Sequence, residues 1–118
     1  MERPCITEKG NQKVLLVDGK PFIMLAGEVH NSDSSSPAYM EQIWKIAEEL
    51  GMNSLLLPVT WEMVELVEGE FHFEILDQLI DQAREHGMKI GLLWFGSFKN
   101  AECMYAPEWV KRDLERFH

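Results

Sequence analysis

Apolar residues along the chain fall into two alternating kinds of segment. Short, nearly continuous apolar runs at 22–31, 53–61 and 88–95 are typical of strands that are covered on both faces. Between these runs, apolar residues recur every three or four positions, which is the spacing of one face of a helix. The first such set comprises Tyr39, Ile43, Ile46, Ala47 and Leu50. The pattern therefore predicts the order strand, helix, strand, helix, strand, helix.

Capping residues mark where these helices begin and end. Ser36 is a favoured N-cap and Pro37 suits a first helical turn, so the first helix begins there and ends at Gly51. The second helix is predicted to end at Gly87. The third opens at Pro107 and is predicted to run to the end of the chain.

A hairpin is predicted ahead of the first long apolar run. Residues 13–25 contain two short apolar runs around Asp18-Gly19, a pair that favours a two-residue hairpin turn. Residues 1–12 are predicted to be an N-terminal tail, and residues 13–118 to be one portion of a single domain. Pro58 lacks the amide hydrogen that a central strand uses, so we expect a distorted ladder there.

Alternation of strands and helices predicts a parallel sheet with crossover helices, which is an α/β fold. Strands begin near Phe22, Ser54 and Lys89, a spacing close to the roughly 31 residues per unit of a (β/α)8 barrel. A doubly wound open sheet has similar spacing, so periodicity alone leaves both architectures open. We expect a partial TIM barrel, its first three βα units, preceded by a short N-terminal β-hairpin. Three parallel strands leave two unpaired edges, which predicts the N-terminal portion of a larger barrel or association with another copy.

Polar side chains follow each predicted strand at its carboxyl end, where both α/β architectures bind ligands. They are Glu28, His30 and Asn31 after the first strand, Thr60, Trp61, Glu62 and Glu65 after the second, and Ser97, Lys99, Asn100 and Glu102 after the third. Carboxylates and amides exchange hydrogen bonds with hydroxyl groups, and an indole covers the apolar face of a sugar ring. This combination of side chains suits a carbohydrate ligand.

Several of these residues have a structural alternative. Trp61 and Trp94 are equally consistent with core packing, because aromatic side chains dominate protein cores. Asn100 and Glu102 are equally consistent with capping a turn or the next helix. Of the glutamates in the loop after the second strand, only Glu65 is retained as a candidate, and the others are interpreted as a solvated face. Three further residues are interpreted as structural or solvent-facing: His72, Lys99 and Cys103.

No metal or cofactor is predicted. Glu28 and His30 lie two apart on one strand and could share a metal ion, but the sequence offers no third ligand. Cys5 and Cys103 do not have the spacing of a metal site and are interpreted as thiols. No glycine-rich phosphate loop follows the first strand, which argues against a complete flavodoxin-like domain.

Composition and charge narrow the range of partners. The chain has 118 residues, of which 46% are hydrophobic and 26% charged, an ordinary globular composition. Its formal charge of −9 disfavours nucleic acid and is compatible with a neutral ligand. No apolar stretch approaches the ~18 residues that span a bilayer, so no membrane partner is expected. No export segment is visible at the start, which favours the cytoplasm without fixing the compartment.

The order of several motifs resembles the opening of the beta-galactosidase-type glycoside hydrolases, families 35 and 42. The matching segments are Asp18-Gly19-Lys20-Pro21, Gly27-Glu28-Val29-His30, Gly51-Met52-Asn53, Trp61 with Glu65, Glu68-Gly69-Glu70-Phe71-His72-Phe73 and Asn100-Ala101-Glu102. The resemblance covers about residues 13–112. Each motif is weak alone, whereas their order and spacing together are fairly specific.

The resemblance implies a retaining glycosidase on a (β/α)8 barrel, whose two catalytic glutamates follow the fourth and seventh strands. Neither strand is predicted in this chain, so we expect no catalytic residue here. Asn100 and Glu102 match the family segment that contacts sugar hydroxyls, and Glu28 would line the same pocket. Together with Trp61 and Glu65, these residues are predicted to bind a galactoside-like carbohydrate.

The chain also departs from the family 35 pattern. Pro58 stands where a sugar-contacting tyrosine is common, Leu66 stands where a proline is common, and LLWFGSFKN replaces a Gly-Pro-Tyr stretch. Two functions remain open at this point. The chain is the N-terminal segment of a glycoside hydrolase, or it is a non-catalytic carbohydrate-binding module that self-associates through its sheet edges.

Overall fold

A computed structural model describes residues 2–99 and 102–117 of the chain. Its strands are β1 (Cys5–Lys9), β2 (Gln12–Val17), β3 (Lys20–Pro21), β4 (Ala26–Glu28), β5 (Ser54–Thr60), β6 (Lys89–Phe95), β7 (Phe98–Lys99) and β8 (Cys103–Met104). Its helices are α1 (Pro37–Glu49), α2 (Trp61–Val64), α3 (Glu74–Glu85) and α4 (Glu108–Arg112), with a short 3-10 helix at Asp33–Ser35. No helix in this described part of the chain is long and apolar enough to cross a membrane.

Strands β4, β5 and β6 form a sheet in that order, and both pairings are parallel. This confirms the predicted α/β alternation with parallel strands. Helices α1 and α3 lie against one face of the sheet and enclose the core. Its fully buried side chains include Met40, Trp44, Leu57 and Leu79.

The three parallel strands differ in how well they are covered. Six of the seven positions of β5 are buried, as expected for a central strand with both faces covered. The same prediction is wrong for β6, where Leu92 is 48% exposed and Trp94 is 57% exposed. Strand β6 lies at the edge of the sheet, and the short helix α4 does not cover this part of it. Trp94 is therefore not a core residue here.

Pro58 does not distort the ladder between β5 and β6, contrary to the prediction. The register continues through Pro58, which lies opposite Leu93. Val29 N donates to Leu56 O at 3.0 Å, and Ser34 Oγ donates to Pro58 O at 2.6 Å. Alternate residues of a parallel strand hydrogen-bond to the same neighbouring strand. Leu56 bonds to the β4 side, so the N–H that Pro58 lacks would also have pointed to the β4 side. Strand β4 has already ended there, and the β6 ladder loses nothing.

The hairpin around Asp18-Gly19 is confirmed, since β2 and β3 pair antiparallel and both turn residues have positive φ (51° and 73°). It begins earlier than expected, because Cys5–Lys9 within the predicted tail forms β1 and pairs with β2. In contrast, only Ala26–Glu28 of the predicted strand at 22–31 is a strand.

The side chain of Asn53 holds the segment between the hairpin and β4. Its Nδ2 donates to Ile23 O at 2.8 Å, and its Oδ1 accepts from Leu25 N at 2.9 Å and from Ser54 Oγ at 2.8 Å. Residues 22–25 belong to no strand, and the backbone N of Asn53 also donates to Leu25 O at 3.0 Å. These contacts explain the asparagine at position 53, two residues after Gly51, which ends α1.

The predicted helix starts and stops are confirmed for α1, and the predicted stop is confirmed for α3. Ser36 Oγ accepts from Tyr39 N at 3.2 Å, and Gly51 and Gly87 take positive φ just after their helices. The third helix is shorter than predicted and ends at Arg112. Asp113 Oδ1 accepts from Arg116 N at 3.1 Å, a local bond that competes with continued helix.

Candidate functional site

The polar residues that follow the parallel strands lie on the sheet face opposite the helices. Side chains alternate between faces along a strand. Leu55 packs in the core, so its neighbour Leu56 faces the other side, and Glu28 pairs with Leu56. By the same alternation Thr60 and its partner Phe95 lie on the face of Glu28. The carboxyl ends of the three strands therefore present these side chains together.

A small antiparallel ladder, β7 with β8, follows β6 and extends toward the end of β4. Lys99 Nζ lies 3.4 Å from Glu28 Oε1 and 4.3 Å from the centre of the Phe95 ring. The ion pair is partly exposed, so it contributes less than about 1 kcal/mol to stability. The pair matters for the arrangement of the strands. It connects Glu28, at the end of β4, across β5 with Lys99, which lies in β7 just after β6. Lys99 was interpreted from sequence as structural or solvent-facing, and it instead contacts a candidate site residue.

Tyr105 completes this group and was missed in the sequence. Its ring lies 5.3 Å from that of Phe95, and the side chain is buried. The side chains of Asn31 and Cys103 lie beside its hydroxyl. We define the rim cluster as Glu28, Asn31, Phe95, Lys99, Cys103 and Tyr105. The signal in the sequence was an aromatic residue directly before the Ala-Pro that precedes the last helix.

Burial raises the pKa of the Tyr105 phenol above its ordinary value, and a negative charge on Cys103 raises it further. The folded state therefore favours the protonated phenol. A folded-state pKa above that of the unfolded chain contributes stability that is present below about pH 10 and lost as the pH rises through the folded value.

We expect the phenol of Tyr105 to ionise at higher pH than a free tyrosine. The chain has two tyrosines, so a Tyr39→Phe variant isolates the phenolate absorbance of Tyr105 during an alkaline titration. The same variant unfolded in urea provides the reference titration. A folded midpoint at or below that reference would contradict the placement of Tyr105.

Trp61 and Glu65 form a second group, away from the ion pair. Glu65 is 8% exposed. Its Oε2 accepts from Trp61 Nε1 at 2.6 Å and its Oε1 accepts from Gly69 N at 2.8 Å. Its backbone oxygen accepts from Trp109 Nε1 at 3.0 Å. We call these four residues the Glu65 clamp.

Thr60 is an unusual residue at the end of β5. It is 4% exposed, and its Oγ1 has no hydrogen-bond partner among the described residues. A buried hydroxyl without a partner costs about 1–3 kcal/mol. The end of the central strand therefore keeps a polar group despite an energetic penalty.

The structure thus places the predicted substrate-binding residues in more than one group. Glu28 belongs to the rim cluster, and Glu102 is exposed directly before β8. Trp61 and Glu65 are brought together with each other in the clamp. Asn100 lies outside the described residues.

Three other features of the described residues bear on ligands. No group of three or more His, Cys, Asp or Glu side chains in residues 2–99 and 102–117 could hold a metal ion. Cys5 and Cys103 are both free thiols. A groove of about 500 Å³ beside β7 and β8 is largely apolar, lined among others by Phe98, Met104 and Phe117. A sugar needs hydrogen-bonding groups, so the rim cluster is the better candidate.

Known proteins resemble this chain in sequence. The family model described as Glycosyl hydrolases family 35 matches residues 14–115. Probable beta-galactosidase A of Aspergillus fumigatus is 28% identical over 107 residues, which cover 86% of this chain and 10% of that protein. Beta-galactosidase 11 of Arabidopsis thaliana is 29% identical over 102 residues, covering 82% and 12%. The chain therefore spans 10–12% of the length of these two relatives.

A solved structure resembles the fold. Exo-beta-1,4-mannosidase Op5Man5 from Opitutaceae bacterium strain TAV5 aligns with a TM-score of 0.60 at 17% identity, over 75% of this chain and 17% of that one. At this identity the likeness concerns the fold alone. The family model covers nearly the whole chain and confirms the resemblance seen in the motifs. The chain belongs to glycosyl hydrolases family 35.

Proposed function

We propose that this chain forms the first three βα units of a (β/α)8 glycoside hydrolase barrel and contributes sugar contacts at its carboxyl rim. The main support is the ion pair of 3.4 Å between Lys99 and Glu28, which joins the ends of the two outer strands. In such barrels the active site lies at the carboxyl ends of the strands. Family membership and the likeness to a mannosidase fold support the same architecture.

The proposed ligand is the terminal sugar of a galactoside-like carbohydrate. Glu28 and Glu102 supply carboxylate oxygens that accept hydrogen bonds from sugar hydroxyls, and Lys99 supplies a donor. Asn100 enters the proposal through its match to the family segment alone. The names of two relatives support this ligand class: probable beta-galactosidase A of a fungus and beta-galactosidase 11 of a plant.

Catalysis is proposed to belong to a longer polypeptide. A retaining glycosidase needs two carboxyl groups about 5 Å apart, one as acid and base and the other as nucleophile. Among the described carboxylates, Glu28 pairs with Lys99, Glu62 pairs with Lys111, and Glu65 is held by the clamp. None of the three is proposed as a catalytic group. The 118-residue chain by itself is therefore expected to bind sugar without cleaving it.

Removing the carboxylate of Glu28 or of Glu102 should weaken sugar binding. Glu102→Gln and Glu28→Gln each replace a charged acceptor by an amide, and we expect each to raise the Kd for a β-galactoside about tenfold, as the loss of one charge-assisted hydrogen bond implies. Isothermal calorimetry on the 118-residue chain measures this. Glu85→Gln makes the same change on the exposed surface of α3 and should leave the Kd unchanged.

Two results would refute the proposal. Equal affinity of the wild type, Glu28→Gln and Glu102→Gln would remove these residues from the site. Turnover of nitrophenyl galactoside that persists through stringent purification, and disappears in a rim variant, would show that the catalytic groups lie within this chain.

A second candidate function is a non-catalytic carbohydrate-binding module that self-associates. The observation that favours it is the open edge on each side of the sheet, since within residues 2–99 and 102–117 β4 and β6 each pair with β5 alone. Exposed Leu92 and Trp94 on β6 add apolar surface near one edge. A concentration-dependent dimer in light scattering would favour this module, and a monomer that binds sugar would count against it.

A further inference from the structure

Both carboxylate oxygens of Glu65 are engaged by contacts within the protein. Its two carboxylate oxygens each accept one N–H group, from Trp61 and from Gly69, and it is nearly inaccessible to solvent. A sugar hydroxyl that donated to Glu65 would have to compete with these short hydrogen bonds. The contacts therefore give Glu65 a different task from the sugar binding predicted by its sequence position.

The clamp joins the loop after β5 to the C-terminal segment. The Trp61 and Trp109 rings meet edge to face at 5.7 Å, and Trp109 donates to the backbone oxygen of Glu65. Three ion-pair and backbone contacts reinforce the joint: Lys111 with Glu62 at 2.9 Å, Arg116 with Glu68 at 2.7 Å, and Glu62 N with Tyr105 O at 2.9 Å. Because these contacts span more than 40 residues of sequence, they fix the C-terminal segment against α2.

The same segment anchors the strands that carry the rim residues. Tyr105 follows β8 directly, and its N donates to Ser97 O at 2.7 Å, just before β7. This bond closes the open end of the β7–β8 ladder, where the chain enters β7 and leaves β8. Any displacement of the C-terminal segment would move Tyr105, and with it Cys103 and Glu102.

We propose that Glu65 is a positioning residue, which holds Trp61, Gly69 and Trp109 so that β7 and β8 present Glu102 and Lys99 at the sugar site. This proposal deepens the proposed function and rests on it for the role of the rim. A carboxylate suits the position because it offers acceptor oxygens to two N–H donors at once. A glutamine offers one acceptor oxygen, and its NH₂ group would face an N–H donor.

Isosteric substitution tests the clamp on the whole 118-residue chain. In Glu65→Gln we expect the ¹H–¹⁵N resonances of the Trp109 indole and of the amides of Glu102 to Tyr105 to shift, and the Kd for a β-galactoside to rise about tenfold, the scale of one lost positioning contact. Adding Trp61→Phe removes the unpaired donor, so the double variant should recover part of both effects. If each substitution merely destabilised the chain, the double variant would show larger effects on the resonances and on the Kd than Glu65→Gln alone, and not smaller ones.

A matched control separates positioning from stability. Gln82→Leu removes the partner of the buried Trp44 indole between α1 and α3, far from the clamp. We expect it to destabilise the chain while leaving the resonances of residues 102–105 in place. If Glu65→Gln does not fold, Trp61→Phe alone carries the test, and unchanged resonances of Trp109 and residues 102–105 would overturn the proposal.

The outcomes distinguish this proposal from the proposed function. If the wild type binds no galactoside, the proposed function fails, and the resonance shifts still decide whether Glu65 positions β7 and β8. If Glu65→Gln binds weakly while the rim resonances stay in place, Glu65 contacts the sugar itself and the positioning role is wrong. Shifted rim resonances with partial recovery in the double variant support it.

Discussion

Replacing Trp44 with alanine is expected to lower the free energy of unfolding by about 4 kcal/mol, the usual cost of removing a fully buried tryptophan. Trp44 is completely buried between α1, α3 and the sheet. Its Nε1 donates to Gln82 Oε1 at 3.1 Å, and the ring of His86 stacks 6.0 Å away. The substitution leaves a cavity in the core and removes one of the bonds that hold α1 to α3.

Urea denaturation followed by circular dichroism measures this loss. Trp94→Ala is the matched control, because it deletes the same side chain from a position on β6 that is 57% exposed. We expect the control to cost about 2 kcal/mol, roughly half as much, since more than half of that side chain stays in contact with water in the folded chain. Equal losses in the two variants would contradict the location of the core.

Replacing Asn53 with alanine is expected to lower the free energy of unfolding by about 2 kcal/mol, from three side-chain hydrogen bonds that are each worth about 0.5–1.5 kcal/mol. Those bonds reach Ile23, Leu25 and Ser54. Ile23 is 80% exposed, so water replaces part of what is lost at that position. The larger consequence is local, because residues 22–25 belong to no strand and their backbone bonds lie at the two ends, from Phe22 N to Leu15 O and from Asn53 N to Leu25 O.

Amide hydrogen exchange detects that local effect beside the global denaturation. In Asn53→Ala, we expect the amide of Leu25 to lose protection more than the amides of β5 do. Asn11→Ala is the control, since Asn11 lies exposed in the turn between β1 and β2. An unchanged exchange rate at Leu25 would show that the Asn53 side chain does not hold this segment.

Local signals in the sequence were sufficient for most secondary structure. Ser36 with Pro37, and the glycines at 51 and 87, act through the backbone of their own helix, so their effect is readable without the fold. The alternation of apolar runs and helical faces was likewise enough to predict parallel pairing. Failures arose where the decisive partner is distant in sequence. Pro58 is tolerated because β4 ends early, which no local pattern indicates.

The candidate site follows the same rule. Glu28 and Glu102 were predicted as site residues because they follow strands, and chain order specifies which ends of parallel strands meet. Tyr105 was missed, and Lys99 was interpreted as structural or solvent-facing, because their contacts with Phe95 and Glu28 depend on how β7 and β8 sit above the sheet. Glu65 was predicted to bind sugar, and its two carboxylate oxygens accept hydrogen bonds from Trp61 and Gly69. Its exposure to ligand could not be judged before those partners were known.

The central claim is that the carboxyl ends of β4, β5 and β6 form one sugar-binding rim. The most direct test is a titration of the ¹⁵N-labelled chain with a β-galactoside, followed by ¹H–¹⁵N spectra. We predict that saturable shifts concentrate at residues 28–31, 95–99 and 102–105. Shifts that instead concentrate at the opposite end of the sheet, around Asp18, Asn53 and Lys89, would contradict the claim.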